Sequence, residues 1–156
     1  MSVGFTLQRL EPVHEIVIRD LPAQPASRSR ILAGLARSQD PVLMATLGPA
    51  EPDQAIRILL HDAASSDVLR RLRERARRLQ ATWQHRHDLA WIGLRDLPRE
   101  QAVAARCLQV LETAGIEVRL VQLGLDQLQL VVTQQESARA CTLLFEALGP
   151  LESEAA

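Results

Sequence analysis

Two histidines one residue apart, His85 and His87, form the densest pair of metal-ligating side chains in the chain. On a strand that spacing puts both imidazoles on one face, where neutral rings can hold a divalent ion. Asp88 is the single acid beside them and no cysteine lies at supporting spacing, so no metal site is expected. His14 and His61 stand alone in the sequence. Cys107 and Cys141 are spaced as neither a zinc nor a redox motif, and both fall in helical patterns as apolar thiols. The run "RRLRERARRL", Arg70 to Leu79, carries six Arg and one Glu. On a helix Leu72 and Leu79 turn inward and the Arg side chains fan outward, which reads as a solvated face. The two Phe and two Trp of the chain are too few to interleave with it as a stacking surface for single strands. The seven Gly are scattered, so no phosphate loop is present, and no nucleophile sits beside a base.

The 156 residues suit one domain or two small ones, and 47% apolar residues suffice for a sizeable core. A formal net charge of −1 gives no global attraction to nucleic acid or to an anionic membrane. All 18 basic residues are Arg. The start, "MSVGFTLQRLEP", lacks the charged and apolar regions of a signal peptide, and no apolar run reaches spanning length. A cytoplasmic location without cofactor is the expectation.

The strongest pattern is a repeat. The tetrapeptide "RDLP" occurs at Arg19 to Pro22 and again at Arg95 to Pro98, an offset of 95 − 19 = 76 residues. The same offset matches Thr6 with Thr82, Ile16 with Ile92, Leu35 with Leu111 and Val42 with Val118. After a longer turn in the first copy the offset becomes 128 − 56 = 72, matching Ile56, Ile58 and Leu60 with Leu128, Leu130 and Val132. One shift at a turn is what duplication followed by loop change leaves. The copies are placed at 1–80 and 81–156.

Each copy then reads the same way. "HEIVIRD" and "LAWIGLR" are strand patterns stopped by Pro22 and Pro98. Helices are expected over Ala26 to Arg37 and Glu100 to Thr113, the second capped by Gly115 and the first stopped at Asp40-Pro41. A hairpin follows in each copy, from "VLMATLG" to "AIRILLHD" and from "EVRLVQLG" to "LQLVVTQ". Further helices are expected over Ser65 to Leu79 and Glu136 to Leu148. The leading segments "GFTLQRL" and "ATWQHRH" read as an extra strand. The fold class is α+β: two ferredoxin-like βαββα units with an extra preceding strand, each a two-layer α/β sandwich.

A duplicated unit of this order resembles the ACT domain, and more closely the tandem ACT regulatory region at the C-terminus of aspartate kinases. The resemblance is carried by "IRDLPAQPASRSRILAGLARSQDPVLM", "LETAGIEVRLVQLG" and "LQLVVTQQESARACTLLFEALG", and reaches roughly Val3 to Gly149. It implies a non-catalytic module that binds a small amino acid and modulates a partner enzyme, commonly as a homodimer. By position it places the ligand at Ala23, Gln24, Ala26, Thr46, Leu47, Glu117, Val118 and Gln122. A loop entering a helix offers free N–H groups to a carboxylate, and Glu117 would hold the ammonium.

The chain departs from the family at these positions. The family loop Asp-x-Pro-Gly is Ala23-Gln24-Pro25-Ala26 here, and its second-copy counterpart, Arg99-Glu100-Gln101-Ala102, lacks both Pro and Gly. The family's Gln-Asn falls on Leu47-Gly48, its Ser-Thr-Ser on Gln122-Leu123-Gly124, and a strand Asn on Glu117. Either the ligand differs, or the pair serves only protein–protein contact. Both readings expect dimerisation through sheet edges. Neither expects nucleic acid or membrane as a partner.

Overall fold

The computed structural model describes residues 4–24, 26–36, 42–47, 55–61, 66–98 and 101–154. Along the chain run β1 (Thr6–Arg19), α1 (Ala26–Ala36), β2 (Val42–Leu47), β3 (Ile56–His61), α2 (Ser66–Arg78), β4 (Thr82–Arg95), α3 (Gln101–Thr113), β5 (Leu120–Leu123), β6 (Leu128–Thr133) and α4 (Ser137–Glu154). A single 3-10 turn, Gln134–Glu136, leads into α4. The expected helices are all present. Arg37, Asp40, Pro41, Ser65 and Glu100, at their expected ends, lie outside the described residues. The last helix continues past Leu148 to Glu154.

The leading segments are not separate strands. Each merges with the strand after it, making β1 and β4 fourteen residues long. The chain forms two compact units, and the merged strands contribute to both. The first unit is Pro12–His87; the second is Met1–Glu11 together with Asp88–Ala156. Within the first unit the strand order is β2-β3-β1-β4, the β4 share being Thr82–His87. Within the second it is β1-β4-β6-β5, the β1 share being Thr6–Glu11. The unit of compaction therefore carries the leading strand of the other sequence copy.

The register reproduces the repeat. In the first unit β1 pairs antiparallel with β3 from Val13↔His61 to Ile18↔Ile56. In the second β4 pairs with β6 from Leu89↔Thr133 to Leu94↔Leu128, the same pairs moved by 76 on one strand and 72 on the other. Pro12 lies just ahead of the β3 pairing, where its missing N–H removes no bond of that ladder. β2 pairs with β3 across an irregularity between Val42 and Met44, and β5 pairs regularly with β6.

Helices cover one face of each sheet. In the first unit Ile16, Ile18, Ile56, Ile58 and Leu60 pack with Ile31 and Leu35 of α1 and Val68, Leu72 and Ala76 of α2. In the second Ile92, Leu94, Leu128, Leu130 and Val132 pack with Val103, Cys107 and Leu111 of α3 and Leu144 and Leu148 of α4. Each full burial of a Leu or Ile contributes roughly 1.5–3 kcal/mol, so these two cores dominate the stability.

The repeated tetrapeptide is a corner. Asp20 and Asp96 both take a left-handed backbone, φ 57° and φ 61°, which ends the strand. Asp tolerates that conformation better than most residues with a Cβ. The next residue, Leu21 or Leu97, is then turned into its unit's core. Each Asp also accepts a hydrogen bond from the threonine that opens the neighbouring long strand. Thr82 Oγ1 donates to Asp20 at 2.6 Å, and Thr6 Oγ1 to Asp96 at 3.3 Å.

Helices α2 and α3 end alike. Ile116 N–H reaches the Leu111 carbonyl and Gly115 N–H that of Glu112; Ala81 reaches Ala76 and Gln80 reaches Arg77. This double bond pattern requires a left-handed residue, supplied by Gly115 (φ 72°) and by Gln80 (φ 54°). A Cβ at Gly115 meets nothing within 4 Å, so its cost there is purely conformational.

Two outcomes follow for chemical denaturation. Gln80→Gly should stabilise the protein by about 0.5–1 kcal/mol and Gly115→Ala should destabilise it by about 1 kcal/mol. Asp20→Ala, which removes both the threonine bond and the tolerant side chain, should cost about 1–2 kcal/mol, and Asp20→Asn less than half of that.

Candidate functional site

The expected ligand positions fall into two sets. Ala23, Gln24, Ala26, Thr46 and Leu47 belong to the first unit, and Glu117, Val118 and Gln122 to the second. Ala23 and Gln24 form the exposed bend after β1, and the Gln24 carbonyl accepts the N–H of Ser27 at 3.0 Å. Ala26 opens α1. Thr46, exposed on β2, stands opposite Arg57, and Leu47 pairs through its backbone with Ile56. The Leu47 side chain and all of Pro25 lie outside the described residues. In the second unit Glu117 is exposed and faces Arg119 at 3.7 Å, Val118 packs against the core, and Gln122 sits opposite Gln129 on β5. An ammonium group at Glu117 would share that carboxylate with Arg119.

Two polar groups outside the expected set are buried in the first unit, one of them at the start of α1. Ser27, second in the helix, is 1% exposed, and its hydroxyl meets no hydrogen-bond partner among the described residues. Arg19, the last residue of β1, has a buried Nε that meets none either. A buried hydroxyl or guanidinium N–H without a partner is costly, and such groups call for an explanation in the form of a ligand or water. The second copy has Val103 where the first has Ser27, and that valine is part of the core. At this position the polar demand belongs to the first unit alone. Sequence periodicity could show neither group, because Ser27 sits at an ordinary helix start and Arg19 repeats at Arg95, which is exposed.

The first unit also gathers imidazoles. His14 of β1 shares a hydrogen bond with His85 of β4, Nδ1 to Nε2 at 2.8 Å, with ring centres 5.1 Å apart. His87 lies 6.0 Å from His85 and 6.3 Å from His14, centre to centre. The edge of Trp83 meets His85 at 6.4 Å. One ring of the bonded pair must be neutral to accept. Partial burial, then the charges of His14, His87 and Arg73, hold His85 below the usual imidazole value. His14, isolated in sequence, joins the pair across 71 residues. Among the described residues no group of three or more His, Cys, Asp or Glu is placed to hold a metal ion.

The remaining reactive groups are structural. Burial pushes the Cys107 thiol up to about 11 and raises that of Cys141, so neither is a poised nucleophile. In the second unit Glu11, Asp88, Thr133, Gln134 and Gln135 line an open hollow of about 520 Å³. Beside it the Glu11 carboxylate accepts the hydroxyl of the buried Ser137, at the start of α4. On α2, Arg70 and Arg71 are bound to Asp67 and Arg70 also to Glu74, while Arg75 donates to the Arg30 carbonyl of α1. Among the described residues no helix is long and apolar enough to cross a membrane.

No family model and no curated protein matches the chain. Solved structures do. The ligand-free regulatory subunit of aspartate kinase from Thermus thermophilus superposes with a TM-score of 0.81 at 15% identity, over 94% of this chain and 99% of that one. The corresponding subunit from Thermus flavus gives 0.76 at 16%, over 93% and 97%. Aspartokinase III of E. coli, in complex with lysine and aspartate, gives 0.66 at 18%, over 93% of this chain and 32% of the longer enzyme. At such identities the likeness is one of fold. The chain has the fold of a tandem pair of ACT-type units, as found in the regulatory part of aspartate kinases.

Proposed function

We propose that the chain is a non-catalytic regulatory module that binds a small carboxylate-bearing ligand, an amino acid first, and modulates a partner enzyme. The observation that carries this reading is the start of α1, where the Ser27 hydroxyl is buried without a partner among the described residues. A helix N-terminus supplies free N–H groups and a favourable dipole for a carboxylate. The resemblance assigns Ala23, Gln24, Ala26, Thr46 and Leu47 to the ligand of this unit. Glu117, Val118 and Gln122 are the corresponding candidates in the second unit. The likeness in fold to separate regulatory subunits, at nearly full length on both sides, supports the same reading. The sequence copies 1–80 and 81–156 are then units of descent.

A second reading, a pair kept for protein–protein contact alone, is favoured by the edge strand β5. Val121 and Leu123 are 43% and 57% exposed there, and Leu125 in the following turn is 82% exposed. An edge with free backbone groups and apolar side chains is suited to pairing with a second chain.

A thermal-shift and calorimetric screen against the amino acids separates the two. The first reading expects a dose-dependent rise in Tm with at least one of them. Ser27→Ala should then weaken binding about tenfold while leaving the unliganded protein as stable as before or more so, because an unpaired buried hydroxyl is removed. Glu117→Ala should weaken an amino acid more than the matching acid without its amine. No shift with any amino acid at millimolar concentration rejects the first reading. If Val121→Ser with Leu123→Ser then leaves the sedimentation behaviour of the chain unchanged, edge pairing through β5 is rejected as well.

A further inference from the structure

Nothing in the proposed function uses the three histidines of the first unit, where His14 and His85 meet across 71 residues of sequence. His14 alternates along β1 with Ile16 and Ile18, and His85 and His87 alternate along β4 with Trp83. Ile16 and Ile18 belong to the helix-side core and Trp83 packs against it, so all three imidazoles project from that same face. His14 is half-buried, and His85 and His87 are exposed, so protons from solvent reach the cluster. The charges that act on His85 come from His14 on β1, His87 on its own strand and Arg73 on α2, and none of them is an acid. Leu60 of β3 stands opposite His14. Glu15 beside His14, and Arg86 and Asp88 beside His87, alternate to the other face of their strands. Glu15 meets Arg57 there at 3.6 Å.

We propose that the His14–His85 pair is a proton-operated clasp, which holds the Thr82–His87 share of β4 to β1 while either ring is neutral and releases it when both are charged. The contact, Nδ1 of His14 to Nε2 of His85 at 2.8 Å, needs a lone pair on one side. A first proton leaves the bond in place, because a charged ring donates to a neutral one at least as well as a neutral ring does. A second proton sets two N–H groups head-on and removes the acceptor. Two positive rings then stand with centres 5.1 Å apart, and His87, once charged, adds a third at 6.0 and 6.3 Å. No acid acts on His85 to offset this repulsion. Parting the two strands relieves it, and the share of β4 that the first unit holds runs only from Thr82 to His87.

The clasp works below neutrality. Partial burial, then the charges of His14, His87 and Arg73, hold His85 below the ordinary imidazole value of 6.5, so the open strand takes up the second proton before the closed pair does. The closed form is therefore fully favoured above 6.5 and loses ground as the pH falls below it. Where only the open form binds the extra proton, the opening constant rises about tenfold per pH unit, and the rise stops once the closed pair is protonated as well. The second unit has no such device. Ala90 stands at the place of His14, and Arg9 and Glu11 at those of His85 and His87.

Amide hydrogen exchange of the full-length chain, followed by NMR and corrected for its intrinsic pH dependence, reads the opening directly. Amides of Thr82–His87 should open at least about tenfold more often at about pH 5.5 than at about pH 7.5. Those of Leu89–Leu94, which pair with β6, are the internal control and should not change. Ring-nitrogen spectra of the same wild-type sample should show His14 and His85 titrating as one coupled pair in two steps. His14→Gln and His85→Gln should each remove the pH dependence, since glutamine takes up no proton, and His87→Gln should only reduce it. Exchange in Thr82–His87 that follows that in Leu89–Leu94 at every pH would overturn the proposal. So would two rings that titrate independently as isolated imidazoles, or glutamine variants at both 14 and 85 that keep the wild-type dependence.

Discussion

A strand that begins in one compact unit and ends in the other constrains the whole chain. β1 gives Thr6–Glu11 to the second unit and Pro12–Arg19 to the first, and β4 divides in the reverse sense at His87 and Asp88. Neither sheet reaches four strands from its own sequence copy. The remaining features serve this arrangement. The left-handed aspartates at 20 and 96 end the long strands, and the threonines at 82 and 6 open them. Each Thr–Asp hydrogen bond joins the end of one long strand to the beginning of the other. These bonds are exposed and individually small. Their position makes them matter, because register in an antiparallel pair is all-or-none: a one-residue slip would turn every core side chain outward.

At two positions the first unit carries a polar side chain where the second has an apolar one. Ser27 corresponds to Val103, and His14 to Ala90, both of which lie in the second unit's core. His85 and His87 correspond to Arg9 and Glu11, which face each other at 4.0 Å and whose charges bear on Cys141. The first two differences place polarity in Pro12–His87 where the other unit is apolar. Duplicated folds start with equal halves, so such asymmetry marks where selection has acted on something other than packing. Stability alone favours the valine, because a buried hydroxyl without a partner costs about 1–3 kcal/mol.

Much of the fold was legible in the sequence, because its determinants are local or repeated. The 76- and 72-residue offsets located matching strands, and the observed register carries the same two offsets. Gly115 announced a helix end by its residue type. Gln80 does the same work with no such signal, since only the backbone shows that it is left-handed. The merging of each leading segment with its neighbour was not expected, and in the first copy it runs through Pro12. That proline stands where one ladder gives way to the next. The leading segments permitted an exchange between copies but could not decide it: periodicity states that a strand exists and never which sheet completes it. The same limit applied to His14, whose partner is 71 residues away. At the ligand positions the family pattern assigned places, and the unpaired groups at Ser27 and Arg19 came only from side-chain packing.

The crossing of the leading strands also bears on origin. A single-copy ancestor, folded as either half is folded now, would have had an N-terminal strand with no place in its own unit. It would have been complete only by lending that strand to a second molecule and borrowing the same from it, which is a domain-swapped homodimer. Joining two copies in one chain turns that exchange into an intramolecular event, at an effective concentration set by the linker rather than by the cell. The fused protein no longer depends on its own abundance to fold. Its two halves, once identical by symmetry, became free to differ, and that freedom is what allows one of them to keep a serine and three histidines where the other has none.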